Sequence, residues 1–332
     1  MELTKTDLQG KAIGYATKVD IDFEIGEDES DSINDFELKM KRWNWDDSIK
    51  YGTRVYVDGT EFGGIVKEIS TDSSTKTICA KGYTWRGMLT KKIIEPASGE
   101  DYAIVSGEVN MIVKELIEKA FPGLFCGVNI DTGVKVTNYQ FERYCTLHSG
   151  LKKMLESVGY RLDIKYTEES ENGHVNVGAV PVKDMSTEYE FTNDDNLSFA
   201  TDDNRRGVNH LICLGKGELK DRAVIHLYVD DNGKISQTQY YTGTDEIAEI
   251  YDNNGAEEEE LLKNGTKELE SRKNNKTYDM KIIKSIKGLD IGDIVGGKDY
   301  LTGINLKKPI ARKVWTVSSG REKVSYKLKG ES

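Results

Sequence analysis

Hydrophobic and polar positions alternate strictly near the start of the chain. Val19, Ile21, Phe23 and Ile25 are separated by Asp20, Asp22 and Glu24, the period of two that buries one face of a strand and wets the other. An acidic turn over residues 27–32 follows, and Phe36, Leu38 and Met40 repeat the alternation. Residues 54–57 and 62–66 flank Asp58-Gly59, a strong hairpin signal. A further strand is predicted over residues 77–80 and a helix over residues 83–92.

Residues 96–101 read as a linker, and after it the period becomes helical. Val109, Ile112, Val113, Leu116, Ile117 and Ala120 form one apolar face that Pro122-Gly123 stops. Leu147, Leu151, Met154, Leu155 and Val158 form a second, with Gly159 placed as a C-terminal cap. A hairpin follows, with Tyr160, Leu162, Ile164 and Tyr166 before Asn172-Gly173 and Val175, Val177 and Ala179 after it. From about Thr187 the pattern is again mostly β, with strands predicted over residues 208–214 and 223–229 and a turn at 230–233. One helical insertion stands out near residues 256–273. It opens with Glu257 to Glu260, which complement the helix dipole. A solvated amphipathic helix accounts for it better than an acidic binding site. Strands return from Leu289 onward.

Two distant stretches share a layout. Gly52-Thr53-Arg54-Val55, then Gly64-Ile65-Val66-Lys67-Glu68-Ile69, then Lys76-Thr77-Ile78-Cys79-Ala80-Lys81-Gly82 make a Gly-led strand, a second strand, a polar turn at Ser70 to Ser74 and a third strand ending at Gly. Gly292-Asp293-Ile294-Val295, then Pro309-Ile310-Ala311-Arg312-Lys313-Val314, then Lys323-Val324-Ser325-Tyr326-Lys327-Leu328-Lys329-Gly330 repeat it with longer loops and a polar turn at Ser318 to Glu322. Any two antiparallel meanders share some of this. A true duplication would give one chain two similar barrels or half-barrels around the α+β region.

Composition narrows the function. The 332 residues suffice for two or three domains. Frequent glycine (32) against rare proline (4) suits a β-rich chain with many tight turns. The net charge of −11 argues against gripping nucleic acid, which needs a positive field. The four cysteines, Cys79, Cys126, Cys145 and Cys213, lack CxxC spacing and read as small buried hydrophobes in a reducing cytoplasm. The N-terminus has no signal-peptide core, and no segment approaches the length of a membrane span. We therefore expect a chain made and folded in the cytoplasm, with no membrane anchor.

Catalytic patterns are absent from the sequence. His148, His174, His210 and His226 have no HExxH spacing, and there is no GxSxG elbow. His210 and His226 lie on predicted strands and could pair across a ladder. Ordinary packing explains them better than a metal pair. Gly215-Lys216-Gly217 lacks Walker spacing and reads as a turn. Asp194-Asp195 and Asp202-Asp203 read as solvated turns, so no carboxylates are assigned as acid and base. Among Trp43, Trp45, Trp85 and Trp315, the first two share one side of an extended segment and are the best candidates for glycan contact. Core or subunit-interface packing is the competing role for all four. No catalytic residue, cofactor or metal is expected.

Three runs carry a resemblance to a family. Lys81-Gly82-Tyr83-Thr84-Trp85-Arg86-Gly87-Met88-Leu89-Thr90-Lys91-Lys92-Ile93-Ile94-Glu95-Pro96 resembles the end of the first domain of siphophage tail-hub (baseplate hub) proteins and of XkdQ-like prophage tail proteins. Asn209-His210-Leu211-Ile212-Cys213-Leu214-Gly215-Lys216-Gly217-Glu218 resembles the strand and turn opening their second barrel. Gly292-Asp293-Ile294-Val295-Gly296-Gly297-Lys298-Asp299-Tyr300-Leu301-Thr302-Gly303-Ile304 resembles a C-terminal run. The resemblance implies a β-rich α+β chain with tube-like antiparallel β-barrel domains at 1–95 and 183–332 flanking a small α+β domain at 96–182. It implies a non-enzymatic homotrimer that closes the distal tail tube of a phage or phage-tail-like particle and joins it to the baseplate. Six barrels would then match a six-fold tube above and three-fold components below. Tail tube or distal tail protein, tape measure protein, and spike or baseplate proteins are the implied partners, with DNA only as passing cargo. The competing readings are a tail-associated wall hydrolase and a glycan- or receptor-binding tail module. A hydrolase of this kind usually carries its catalytic unit in an extension, and the last predicted strand runs almost to Ser332.

Overall fold

The computed structural model describes residues 1–28, 33–169, 172–186, 197–204, 206–273, 275–282, 288–298 and 305–329. They form two compact units, Met1–Ser198 with Lys281–Ser332, and Phe199–Met280. The chain begins with β1 (Thr4–Thr6), β2 (Ala12–Tyr15), β3 (Asp20–Gly26), β4 (Asp35–Lys41), β5 (Arg54–Tyr56), β6 (Gly63–Asp72) and β7 (Thr77–Thr84). Next come α1 (Trp85–Leu89), β8 (Ile104–Glu108), α2 (Val109–Ala120), β9 (Phe125–Gly127), β10 (Lys135–Gln140), α3 (Leu147–Glu156), β11 (Tyr160–Thr167) and β12 (His174–Pro181). β13 (Leu197–Asn204), β14 (His210–Leu214), β15 (Val224–Val229), β16 (Ile235–Ser236), β17 (Ala248–Asp252), α4 (Glu258–Arg272) and β18 (Asn275–Ile282) follow. β19 (Ile294–Lys298), β20 (Asn305–Ser318) and β21 (Arg321–Leu328) end the chain.

One ten-stranded sheet takes strands from both chain ends, in the order β19-β20-β3-β4-β7-β6-β5-β1-β2, with β21 pairing β20. The predicted alternation builds it. Ile21, Phe23, Ile25, Phe36, Leu38 and Met40 are all buried on one face. Phe23 lies opposite Phe36 on one side and Trp315 on the other, and its ring stacks on both, with centroids 5.0 and 5.5 Å away. The sheet curls around this core. Leu3 and Val55 from one end share it with Trp315 from the other, and the Met1 amine reaches Glu322 of β21 at 2.7 Å. No ladder joins β21 to β1 or β2, and no sheet among the described residues closes into a barrel. Both stretches of the repeat, through β5–β7 and β19–β21, enter this one sheet. The Phe23–Trp315 stack is the reason, because it seats β20 directly on β3.

The α+β region forms as its periodicity requires. The apolar faces of α2 and α3 share a core with Leu162, Ile164, Val175 and Val177. β11, β12 and β9 make a three-stranded sheet in which β12 and β9 run parallel, while β8 and β10 pair separately. The predicted helix over 83–92 contracts to α1, because β7 continues to Thr84 against Gly64. The Thr84 side chain then caps α1 by accepting from Gly87 N–H. Two buried ion pairs brace the unit. Arg86 donates to Glu61 at 2.7 and 3.1 Å. Arg161 of β11 donates to Asp293 at 2.7 and 3.2 Å, and Asp293 also accepts from the backbone of Lys183 and Asp290.

In the other unit, β16-β15-β14-β17 form a sheet with β14 and β17 parallel, and α4 lays Leu261, Gly265 and Leu269 toward Leu211, Cys213 and Leu227. β13 and β18 pair with each other. The later part of the acidic turn at 27–32, Asp194-Asp195, the end of the 292–304 run, and Gly330 lie outside the described residues.

Candidate functional site

The two candidate tryptophans part company in space. Trp45 is half-buried and packs against the core of the large sheet, whereas Trp43 is 71% exposed. The segment is not extended, because Arg42–Asn44 make a short 3-10 turn. Trp43 lies in a cleft of about 760 Å3 lined also by Arg42, Asp72, Ser73, Lys76 and Ile78. The cleft has a fixed wall. Arg42 N–H donates to the Lys76 carbonyl at 2.9 Å, and Lys41 Nζ donates to the Thr75 carbonyl at 3.3 Å. Asp72 Oδ1 accepts from Ser74 N–H and Oγ, and Oδ2 accepts from Thr75 Oγ1. The Ser74 and Thr75 hydroxyls hold the Asp72 carboxyl well below the usual carboxylate range. Trp85 and Trp315 are fully buried.

His210 and His226 do meet across β14 and β15, with His210 Nε2 and His226 Nδ1 2.8 Å apart. The other His210 nitrogen, Nδ1, lies 2.6 Å from Glu246, and the His210 ring stacks on Tyr228. The carboxylate fixes which His210 nitrogen carries the proton. The other two histidines are apart from this pair: His148 is buried in α3 and His174 is 3.4 Å from Glu169. Among the described residues no group of three or more His, Cys, Asp or Glu is placed to hold a metal.

Gly215-Lys216-Gly217 is the turn after β14, as its spacing suggests. Gly215 N–H donates to the Ala223 carbonyl and Lys216 N–H to the Ala256 carbonyl, which leaves neither to cradle a phosphate. All four cysteines are free thiols, Cys213 buried and the others half-buried. Burial pushes the Cys213 thiol up to about 11, which suits packing rather than nucleophilic chemistry. No helix among the described residues is long and apolar enough to cross a membrane. Arg42 and Lys76 escaped the sequence reading, because they stand 34 positions apart and only the β4–β7 register unites them (Lys41 opposite Thr77).

No protein-family model matches the sequence, and no curated protein matches it. Solved structures similar to this chain include the 43 kDa tail protein of prophage MuSo2 from Shewanella oneidensis, with a TM-score of 0.49 and 15% identity over 99% of this chain and 98% of that one. Prophage tail protein gp18 from Listeria monocytogenes EGD-e gives 0.46 and 13% over 100% and 95%. The tail protein from Neisseria meningitidis MC58 gives 0.44 and 15% over 98% and 95%.

Proposed function

We propose that this chain is a non-enzymatic structural protein of a phage tail or phage-tail-like particle, a hub subunit that acts as a trimer at the distal end of the tail tube. The observation that carries the reading is where the three family-like runs fall. The first spans β7 and α1, with Trp85 and Arg86 both buried. The second is β14 and its turn. The third holds Asp293, fully buried against Arg161. These are positions on which the packing depends, so the resemblance lies in the framework of the chain rather than in surface composition. The large sheet, curled but open, fits a subunit whose tube-like wall is completed by neighbours. In this reading the terminal strands β2, β19 and β21 are covered on assembly, and the two-barrel arrangement expected per chain is a property of the ring.

Native mass spectrometry with sedimentation analysis tests the assembly. A trimer, formed alone or on addition of the tail tube or distal tail protein, is expected. A monomer that persists under both conditions rejects the hub role. A zymogram tests the non-enzymatic half, and clearing of cell wall by the purified protein would overturn it.

A further inference from the structure

The cleft around Trp43 has a chemistry that a tail-wall role does not require. Trp43 is solvent-exposed and lines the cleft together with Arg42 and Lys76. Among the described residues neither Arg42 nor Lys76 has a carboxylate partner. The one acid in the lining, Asp72, has both oxygens occupied by its own turn. Asp72 keeps its charge, so the lining carries two cations against one anion on a chain whose net charge is −11. Thr71 and Ser73 bring exposed hydroxyls, and about 760 Å3 lies within the range of small-ligand sites.

We propose that this cleft binds an acidic saccharide, a sugar chain bearing carboxylate or phosphate groups. The C–H face of a pyranose ring stacks on Trp43, whose flat apolar surface suits it. Arg42 pairs with the acidic group in the fork geometry that guanidinium offers, and Lys76 adds a second charge. The hydroxyls take up sugar hydroxyls. A protein partner would ask for a wider apolar surround. Here the side chains besides Trp43 and Ile78 are polar or charged, but most of the surface the cleft exposes is carbon, so the oligomeric mass is what separates a saccharide from a protein partner. The proposal does not depend on the hub reading.

Titration calorimetry on the full chain tests it with three probes: a hexamer of galacturonic acid, a phosphorylated mannose oligomer and neutral maltohexaose. The first two separate carboxylate from phosphate as the source of charge. Binding of at least one acidic probe is expected, weakening with added salt and at least tenfold tighter than maltohexaose. Trp43→Ala should lower that affinity at least tenfold. Lys76→Gly should lower it too without harming the fold, because Lys76 has φ of 54°, where glycine is the favoured residue. Unchanged thermal midpoints would show that both variants are folded. The proposal is wrong if neither acidic probe binds, if maltohexaose binds as tightly, or if Trp43→Ala binds like the parent. It is equally wrong if Trp43→Ala alters only the oligomeric mass, which would make the cleft a protein interface.

Discussion

Arg86 and Glu61 are both fully enclosed, and each satisfies the other through two hydrogen bonds. Such a pair gains little over apolar packing, but either half left alone is an uncompensated buried charge. Arg86→Met should therefore cost about 3–5 kcal/mol of stability. The double variant Glu61→Leu with Arg86→Met should recover most of that loss. Urea midpoints of the three proteins check this, and a double variant no better than the single one would show that the pair is worth more than its burial costs. The sequence gives no hint of this contact. Both residues sit in segments whose hydrophobic pattern predicts elements correctly, but a charged residue in such a pattern reads as surface. Only the turn after β5 and the shortened α1 bring the two together.

At the scale of elements, the strict alternation of β3 and β4 was legible, and so were the faces of α2 and α3, because each is set by local periodicity. The partners of β9, β10 and β17 were not, because short strands paired in parallel or across long gaps leave no local signature. The same alternation that buries one face of β3 and β4 crowds the other. Asp22 lies opposite Glu37, and Glu24 opposite Asp35. Burial, then the Glu24 and Glu37 charges, push the Asp22 carboxyl up, while burial, Glu24 and Asp22 do the same to Asp35. A carboxyl raised in the folded state binds its proton more tightly there than in the unfolded chain. Its contribution is thus favourable at low pH and is lost as pH rises through the raised value. Asp22→Asn should consequently stabilise the protein at pH 7, by about 0.5 kcal/mol because the carboxyl is only partly covered and solvent screens it. The gain should shrink as pH falls to about 4. Melting both proteins at the two pH values decides the matter, and an equal gain at both would point away from charge. In α4 the constraint is steric. A Cβ on Gly265 would sit 2.5 Å from Cys213 Sγ, so Gly265→Ala should destabilise by about 1–3 kcal/mol despite its better helix propensity. Adding Cys213→Ala should relieve part of that loss, as denaturant midpoints would record.

For the whole molecule, the decisive feature is that the two chain ends complete one sheet. β20 runs between β3 and β21, Trp315 covers Phe23, and Trp315 Nε1 donates to Glu322 at 2.9 Å. The same carboxylate receives the Met1 amine, 321 positions away in sequence. The segments were each legible as strands, but their union was not: a repeat in sequence suggests two similar sheets, whereas the aromatic stack joins its copies into one. Pairing over such separations makes completion of the sheet a non-local step of high contact order. A chain ending at Lys287 should leave the edge of β3 and the Phe23 and Phe62 rings uncovered. It should bind a hydrophobic dye, keep much of its far-ultraviolet dichroism and lose its cooperative near-ultraviolet transition. Added as a separate peptide, residues 288–332 should restore the near-ultraviolet signal in proportion to its concentration, because the missing strands then bind as a ligand of the folded state. The same peptide carrying Trp315→Ala should restore far less, since a buried Trp cut to Ala typically costs about 3–5 kcal/mol. A truncated chain that unfolds cooperatively at the parent midpoint would instead mean that β1–β7 hold a complete core of their own.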